Sequence, residues 1–273
     1  MFGLKQRGDA PLTTTVLYDH HINDLRKSGL DLHVSYCQVH RARFLKTDQF
    51  IPATPNPKAK VLEAGAIDLF QVALKHVHGY AEIVGTKVSP NVEHKRFFRT
   101  ISIGRHTSNV LTISVDLESD ILPFENESFE FILCGEVIEH MDVDPMFMLA
   151  EFNRVLKQNG KLLITTPNCC SARNFWRISQ GYRPHLYMQY ERSRSPYRHN
   201  IEYDIHLLSS VVQCAGFESV LLETHDVFDD PMPEALDLLQ RCELPTDHRG
   251  DCIFLLAKKV SNVIDRWPAG LYV

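Results

Sequence analysis

From Lys60 onward, short continuous apolar runs alternate with stripes of apolar residues at helical spacing, and this predicts strand, helix and strand in turn. Lys60–Ala64 reads as a short buried strand, followed by a glycine and a helix over Leu69–His76. Ala81–Gly85, Asn109–Val115 and Phe129–Cys134 read as the second, third and fourth strands. Phe147, Met148, Phe152, Val155 and Leu156 stand at helical spacing between about Pro145 and Lys157, and Asn159-Gly160 is a pair suited to the positive φ of a helix end. Lys161–Thr166 is a fifth strand closed by Pro167, and Asp204–Cys214 a helix ended by Gly216. Ser219–Thr224 and Cys252–Lys258 complete a set of seven strands. The alternation implies an α/β protein with a mostly parallel sheet covered on both faces.

The first 58 residues differ in character. Leu25, Leu32, Tyr36, Val39, Phe44 and Leu45 suggest one or two helices covering the main domain, and prolines at 52, 55 and 57 end them in a linker. The expected organisation is a helical extension over 1–58, an α/β domain over 59–260 with a long insertion at 168–203, and a tail over 261–273.

Composition narrows the function classes. With 44% hydrophobic residues in 273, the chain has ample core and is not intrinsically disordered. A net charge of −5 offers no broad basic field, so nucleic acid is not expected as a partner. No apolar run approaches the ~20 residues of a membrane span, and the N-terminus lacks a charged-then-apolar leader pattern; a cytoplasmic protein is expected. The seven cysteines include no C-x-x-C pair, so neither a zinc knuckle nor a disulfide framework is indicated. Charge is unevenly spread: 173–198 holds six arginines against one acid, and 218–251 holds ten acids against two bases.

Ligands of such a sheet bind beyond the carboxyl ends of its strands, which directs attention to the loops after the first four. There the chain resembles the class I S-adenosylmethionine (SAM)-dependent methyltransferases over about residues 60–260. The resemblance is carried by Asp116 with Leu122–Glu130, then Glu136-Val-Ile-Glu-His140, then Arg154–Gly160, then Thr165–Asn168, in that order. Arg198–Tyr203, Leu207-Leu208 and Ala215–Phe217 are similar to the subgroup that methylates hydroxyls of glycans and related small molecules. The resemblance implies a Rossmann-like sheet of seven strands, the last antiparallel.

It also implies roles. Gly65 would let the backbone approach the methionine part of SAM, and Glu63 would face its ammonium group. Ala66 and Asp68 belong to the same loop. Asp116 would accept from the adenine amino group, with Leu117 offering a backbone N–H and an apolar wall. Glu136 sits where the fourth strand opens onto the cofactor. His140 is the candidate general base, because transfer to an alcohol requires removal of the hydroxyl proton and an imidazole suits that task at neutral pH. His199 and Tyr203 are further candidates for orienting the acceptor. His76 and His78 read as surface residues at a helix end.

The 168–203 segment is too long for an idle connection. It interleaves its arginines with Phe175, Trp176, Tyr182, Tyr187, Tyr190 and Tyr197, which suits a lid over a small-molecule acceptor of sugar or anionic type. The same composition also suits an interface between copies of the chain. Asp142 and Asp144 flank the acceptor region without a third ligand and read as helix-start acids, so no metal site is assigned.

Two departures from the family pattern stand out. The second and third glycines of the loop are replaced by Ile67 and Leu69, whose branched side chains would crowd the cofactor. Lys87 occupies the place of the acid that holds the ribose hydroxyls, and an ammonium accepts no hydrogen bond. They leave a second reading open, a non-catalytic methyltransferase-like partner or scaffold. A third, a nicotinamide-dependent reductase, lacks the G-x-G-x-x-G fingerprint.

Overall fold

The computed structural model describes residues 11–54, 56–88, 96–184 and 198–272. Three helices open it: α1 (Thr14–Lys27), α2 (Asp31–Val39) and α3 (Arg41–Phe50). The Thr13 side chain caps α1 by accepting from the Val16 N–H. The α/β part follows as β1 (Lys60–Ala64), α4 (Asp68–His76), β2 (Glu82–Lys87), β3 (Arg96–Ile103), β4 (His106–Ser114) and β5 (Phe129–Gly135). After a 3-10 turn at Ile138–His140 come α5 (Pro145–Val155), β6 (Leu156–Pro167), α6 (Ala172–Ser179), α7 (Ile205–Cys214), β7 (Phe217–His225), α8 (Pro233–Arg241) and β8 (Cys252–Lys259).

The strands form one sheet in the order β3-β4-β2-β1-β5-β6-β8-β7. From β4 to β6 all neighbours are parallel, while β8 runs antiparallel to both β6 and β7. The expected parallel centre and antiparallel last strand are therefore present.

The sheet has eight strands, not seven. The added one is β3, an antiparallel partner of β4 across a turn at Gly104, where φ is +56°. Its pattern hid it. Phe97 and Phe98 are adjacent and both exposed, so the alternation that marks a half-buried strand is lost, and only Ile101 and Ile103 are buried. A second correction concerns Asn159-Gly160. Helix α5 already ends at Val155, and Asn159, at φ +64°, lies in β6 where the pairing with β5 slips between Phe129 and Phe131. The positive φ serves a bulge, not a helix end.

One face of the sheet is covered by α5 and α7, through Met148, Phe152, Leu208 and Val211 against Leu62, Ile132 and Ile164. The other is covered by α4 and the three N-terminal helices. Phe44 meets Phe70 edge to face at 5.8 Å, and Phe50 stacks on Phe254 of β8 at 5.0 Å. Residues 11–54 are thus built into the core. His78 corrects its reading as a surface residue: it is buried, with Nε2 2.6 Å from Asp48 Oδ1 of α3.

Candidate active site

The strand order runs outward from β1 to β2 on one side and from β1 to β5 on the other, so a crevice opens at their carboxyl ends. The loop after β1 is tied to β2 by Gly65 N–H donating to Thr86 Oγ1 at 3.2 Å and Ala66 N–H donating to the Thr86 carbonyl at 3.0 Å. Gly65 sits at φ +68°, and a Cβ there would lie 2.7 Å from Val137 Cγ2 in the loop after β5. The loop therefore requires glycine on two counts.

Glu63 is fully buried, and burial pushes its carboxyl well above the usual carboxylate range. Its Oε1 accepts from the Ile67 N–H at 3.0 Å, while Oε2 is buried with no hydrogen-bond partner. A buried, unanswered carboxylate oxygen beside this loop fits an ammonium group.

Ile67 and Leu69, expected to crowd the cofactor, pack on the core. Leu69 is 1% exposed within the core under the N-terminal helices, and Ile67 packs against the same cluster. Asp68, at the first turn of α4, accepts from Arg99 Nη2 of β3 at 2.9 Å and so serves the added strand. Lys87 is exposed at the end of β2, and its positive charge acts on Glu63. Gln71 of α4, which sequence reasoning missed, is fully buried with both side-chain polar atoms unpartnered. It lies so close to β2 that a Cβ on Gly85 would fall 2.1 Å from its Nε2.

At the end of β4, Asp116 is exposed and Leu117 buried. Asp116 Oδ1 accepts from the Glu118 N–H at 2.9 Å, closing a turn of the kind aspartate favours. Glu118 in turn accepts from the N–H groups of Asp142, Val143 and Asp144 at 2.7–2.9 Å, which holds the loops after β4 and β5 together. Asp144 caps α5 through Phe147 N–H and pairs with Arg266, as a helix-start acid should.

Glu136, at the mouth of β5, has φ +56°, a conformation that a non-glycine residue adopts at a cost of about 1–3 kcal/mol and that clusters at functional sites. Two successive residues of β6 reach the two glutamates of the Glu136-Val-Ile-Glu139 run. Thr165 Oγ1 donates to Glu136 Oε1 at 2.9 Å, and Thr166 Oγ1 to Glu139 Oε2 at 3.0 Å. This gives the Thr165-Thr166 segment of the motif its physical meaning.

His140 and His199 meet edge to face, with ring centroids 4.8 Å apart. His140 Nδ1 lies 3.1 Å from the Arg198 carbonyl, which places the Nδ1 proton there and leaves Nε2 as the basic nitrogen. Burial lowers the His140 pKa, and burial together with His140 lowers His199 to about 4, so both rings are neutral near pH 7. Glu139 is buried and stands 3.8 Å from His140 Nε2. Its membership of this group was not seen in the sequence, although it is adjacent to His140. Tyr203 is fully buried in the core on the α5–α7 face, and its hydroxyl has no partner among the described residues.

Arg43 of α3 was also missed. Only 6% exposed, it donates from Nη2 to Tyr36 Oη at 3.3 Å, and its charge acts on Glu136 and Cys252. No local pattern distinguishes it from the other basic residues of α3.

A cavity of about 680 Å³ opens at the same carboxyl edge, between α3, α6 and the segments around 226–232 and 246–250. Lys46, Arg173 and Arg249 line it alongside Asp226, Asp230 and Asp247. The aromatic residues of α6 meet α8: Phe175 and Trp176 pack against Ala235 and Leu239. Arg177 lies 5.8 Å from the ring centre of Tyr182. Arg192, Arg194, Tyr187, Tyr190 and Tyr197 lie outside the described residues.

Glu202, in the segment that precedes α7, has a buried Oε1 without a partner, and burial raises its carboxyl to about 7. The fold favours its neutral form, so stability falls as pH rises from 4.5 through about 7. Glu202→Gln is therefore expected to raise the thermal midpoint at about pH 8 and to leave it unchanged near pH 4.5, read by thermal melts at the two pH values.

Residues 63–164 match the methyltransferase domain family. No curated protein matches the chain in sequence. Among solved structures, the fold is similar to a chain of the complex between the Trm112 methyltransferase activator and a proposed methyltransferase of Haloferax volcanii. The identity is 14%, covering 89% of this chain and 98% of that one, with a TM-score of 0.52. It is also similar to a SAM-dependent methyltransferase of Thermotoga maritima described as a possible histamine N-methyltransferase. There the identity is 18%, covering 89% of this chain and 99% of that one, with a TM-score of 0.50. The domain match runs from β1 into β6, and the sheet is the Rossmann-like one of the class I SAM-dependent methyltransferases.

Proposed function

We propose that the protein transfers the methyl group of SAM to a hydroxyl oxygen of a sugar or related small molecule. The observation that carries this reading is the His140–His199 pair just beyond β5, in which the Arg198 carbonyl fixes Nδ1 of His140 and leaves Nε2 to take a proton. When bound, SAM supplies an electrophilic methyl group; the chain must hold it, align an oxygen with it and remove the hydroxyl proton.

In this reading Gly65 and Ala66 give the close backbone approach, Glu63 Oε2 meets the ammonium group, and Asp116 with Leu117 holds the adenine. Glu136 lines the mouth of β5, and Lys87 leaves the ribose without its usual acid. The mixed charges of the 680 Å³ cavity, to which α6 contributes Arg173, suit a polar, hydroxyl-rich acceptor. Tyr203, buried and unpartnered, takes a packing role here.

Calorimetric titration with SAM tests the cofactor half, followed by a screen of sugar acceptors for turnover. Asp116→Ala is expected to weaken SAM about tenfold to a hundredfold, the equivalent of a lost 1–3 kcal/mol polar contact, with the melting temperature nearly unchanged. Unchanged affinity would remove Asp116 from the cofactor site. Absence of SAM binding to the unmodified protein would favour the partner or scaffold reading.

A further inference from the structure

We propose that Glu139, His140 and His199 form a binding site for one divalent transition-metal cation. Each residue offers one ligand atom, and these atoms all lie within 4.8 Å of one another. Two imidazoles and one carboxylate suit zinc, iron(II), cobalt(II) or manganese(II), and three protein ligands leave positions open for a ligand's oxygen.

The cluster has the features of a built site. Glu139 is 1% exposed, and its Oε1 is buried without a hydrogen-bond partner, facing His140 Nε2 at 3.8 Å. Its other oxygen is held by Thr166 Oγ1 at 3.0 Å, which fixes the carboxylate for one-oxygen ligation. His140 spends Nδ1 on the Arg198 carbonyl at 3.1 Å, so Nε2 is the nitrogen turned to the cluster. His199 Nδ1 is likewise buried with no partner. Orientation of metal ligands by second hydrogen bonds of this kind is general in protein metal sites.

Backbone contacts hold the two segments in register. Asn200 N–H donates to the Glu139 carbonyl at 2.7 Å, and Asn200 Nδ2 to the His140 carbonyl at 2.9 Å. His199 is thus pinned between two anchored residues, opposite the Glu139-His140 pair. A cation about 2.0–2.2 Å from each ligand needs ligand atoms roughly 3.0–3.6 Å apart, so cation binding draws in the 3.8 Å Glu139–His140 contact by a few tenths of an ångström and the contacts to His199, which lie within 4.8 Å, by up to about 1–2 Å.

The place of the site beyond β5 puts its open positions on the acceptor side, a role that rests on the methyl-transfer reading. A cation on Nε2 would take His140 out of service as a free base; it would instead lower the pKa of a ligated acceptor hydroxyl, whose proton would pass to solvent water.

A competing cluster must be separated in the test. Cys169, Cys170 and Asp204 also lie within ligand distance of one another, but their thiols suit softer binding. Metal-free protein titrated with cobalt(II), with the visible spectrum recorded, distinguishes them. The expected result is about one equivalent bound without thiolate charge transfer, weakened about tenfold to a hundredfold in His199→Ala and in the conservative Glu139→Gln, and unchanged in Cys170→Ser. No bound cobalt, equal binding by both variants, or a thiolate charge-transfer band lost in Cys170→Ser would each overturn the proposal. SAM titrated into the same metal-free protein is read separately. Binding of SAM without cobalt removes the cation site alone, and binding of cobalt without SAM leaves the site and removes the cofactor reading.

Discussion

Replacing His140 by glutamine is expected to lower turnover about a hundredfold to ten-thousandfold while SAM affinity stays nearly constant, the range that a positioned acid or base contributes. The amide side chain can still donate toward the Arg198 carbonyl that now meets Nδ1, so the segment carrying His199 and Asn200 keeps a tether. What it lacks is a basic nitrogen. His140 lies beyond β5, whereas Glu63 and Gly65 follow β1, so the loss falls on the chemical step and not on cofactor binding. The same loss is expected whether Nε2 takes the proton itself or ligates a cation, and the cobalt titration tells these apart. Single-turnover kinetics with saturating SAM read the chemical step directly. Turnover within a few-fold of the unmodified enzyme would place the proton acceptor elsewhere.

Gly65→Ala is expected to have the second largest effect, on both binding and stability. At φ +68° an L side chain costs roughly 1–2 kcal/mol, and the new Cβ would stand 2.7 Å from Val137 Cγ2. Val137 is 8% exposed, so it yields only by disturbing a packed position, which adds about 1–3 kcal/mol. The loop cannot shift freely either, because Gly65 and Ala66 are both bonded to Thr86. A SAM affinity at least tenfold weaker and a lower denaturation midpoint are expected. Val137→Ala in the same chain should recover the packing part and leave the backbone part. Chemical denaturation and SAM titration of the two variants check this; an alanine at 65 that changes neither quantity would show that the loop is not the close-approach point.

Several parts of this protein are local in origin, and those were legible in the sequence. The parallel centre of the sheet follows from apolar runs alternating with helix-spaced stripes, because a strand buried on both faces and a helix buried on one leave different periods in the chain. The residues at the carboxyl ends of β1, β4 and β5 follow once those strands are placed. Glu63, Gly65, Asp116 and Glu136 accordingly stand where the loops were expected to put them.

Other parts were settled only by which elements came to lie against one another. Ile67 and Leu69 were expected to crowd a cofactor; the N-terminal helices give them an apolar surface to pack on, and they turn to it. Strand β3 carries its apolar residues too irregularly to be seen and exists by pairing with β4. Arg43 is buried beside Glu136 because α3 covers that face, and nothing within α3 announces it. The grouping of Glu139 and His140 with His199 joins a turn after β5 to a segment that follows α6. Periodicity records which face of an element is buried, but burial has no term for the identity of the neighbour. The partners of a polar side chain are set by packing between elements far apart in the chain, so the cluster becomes visible only in three dimensions.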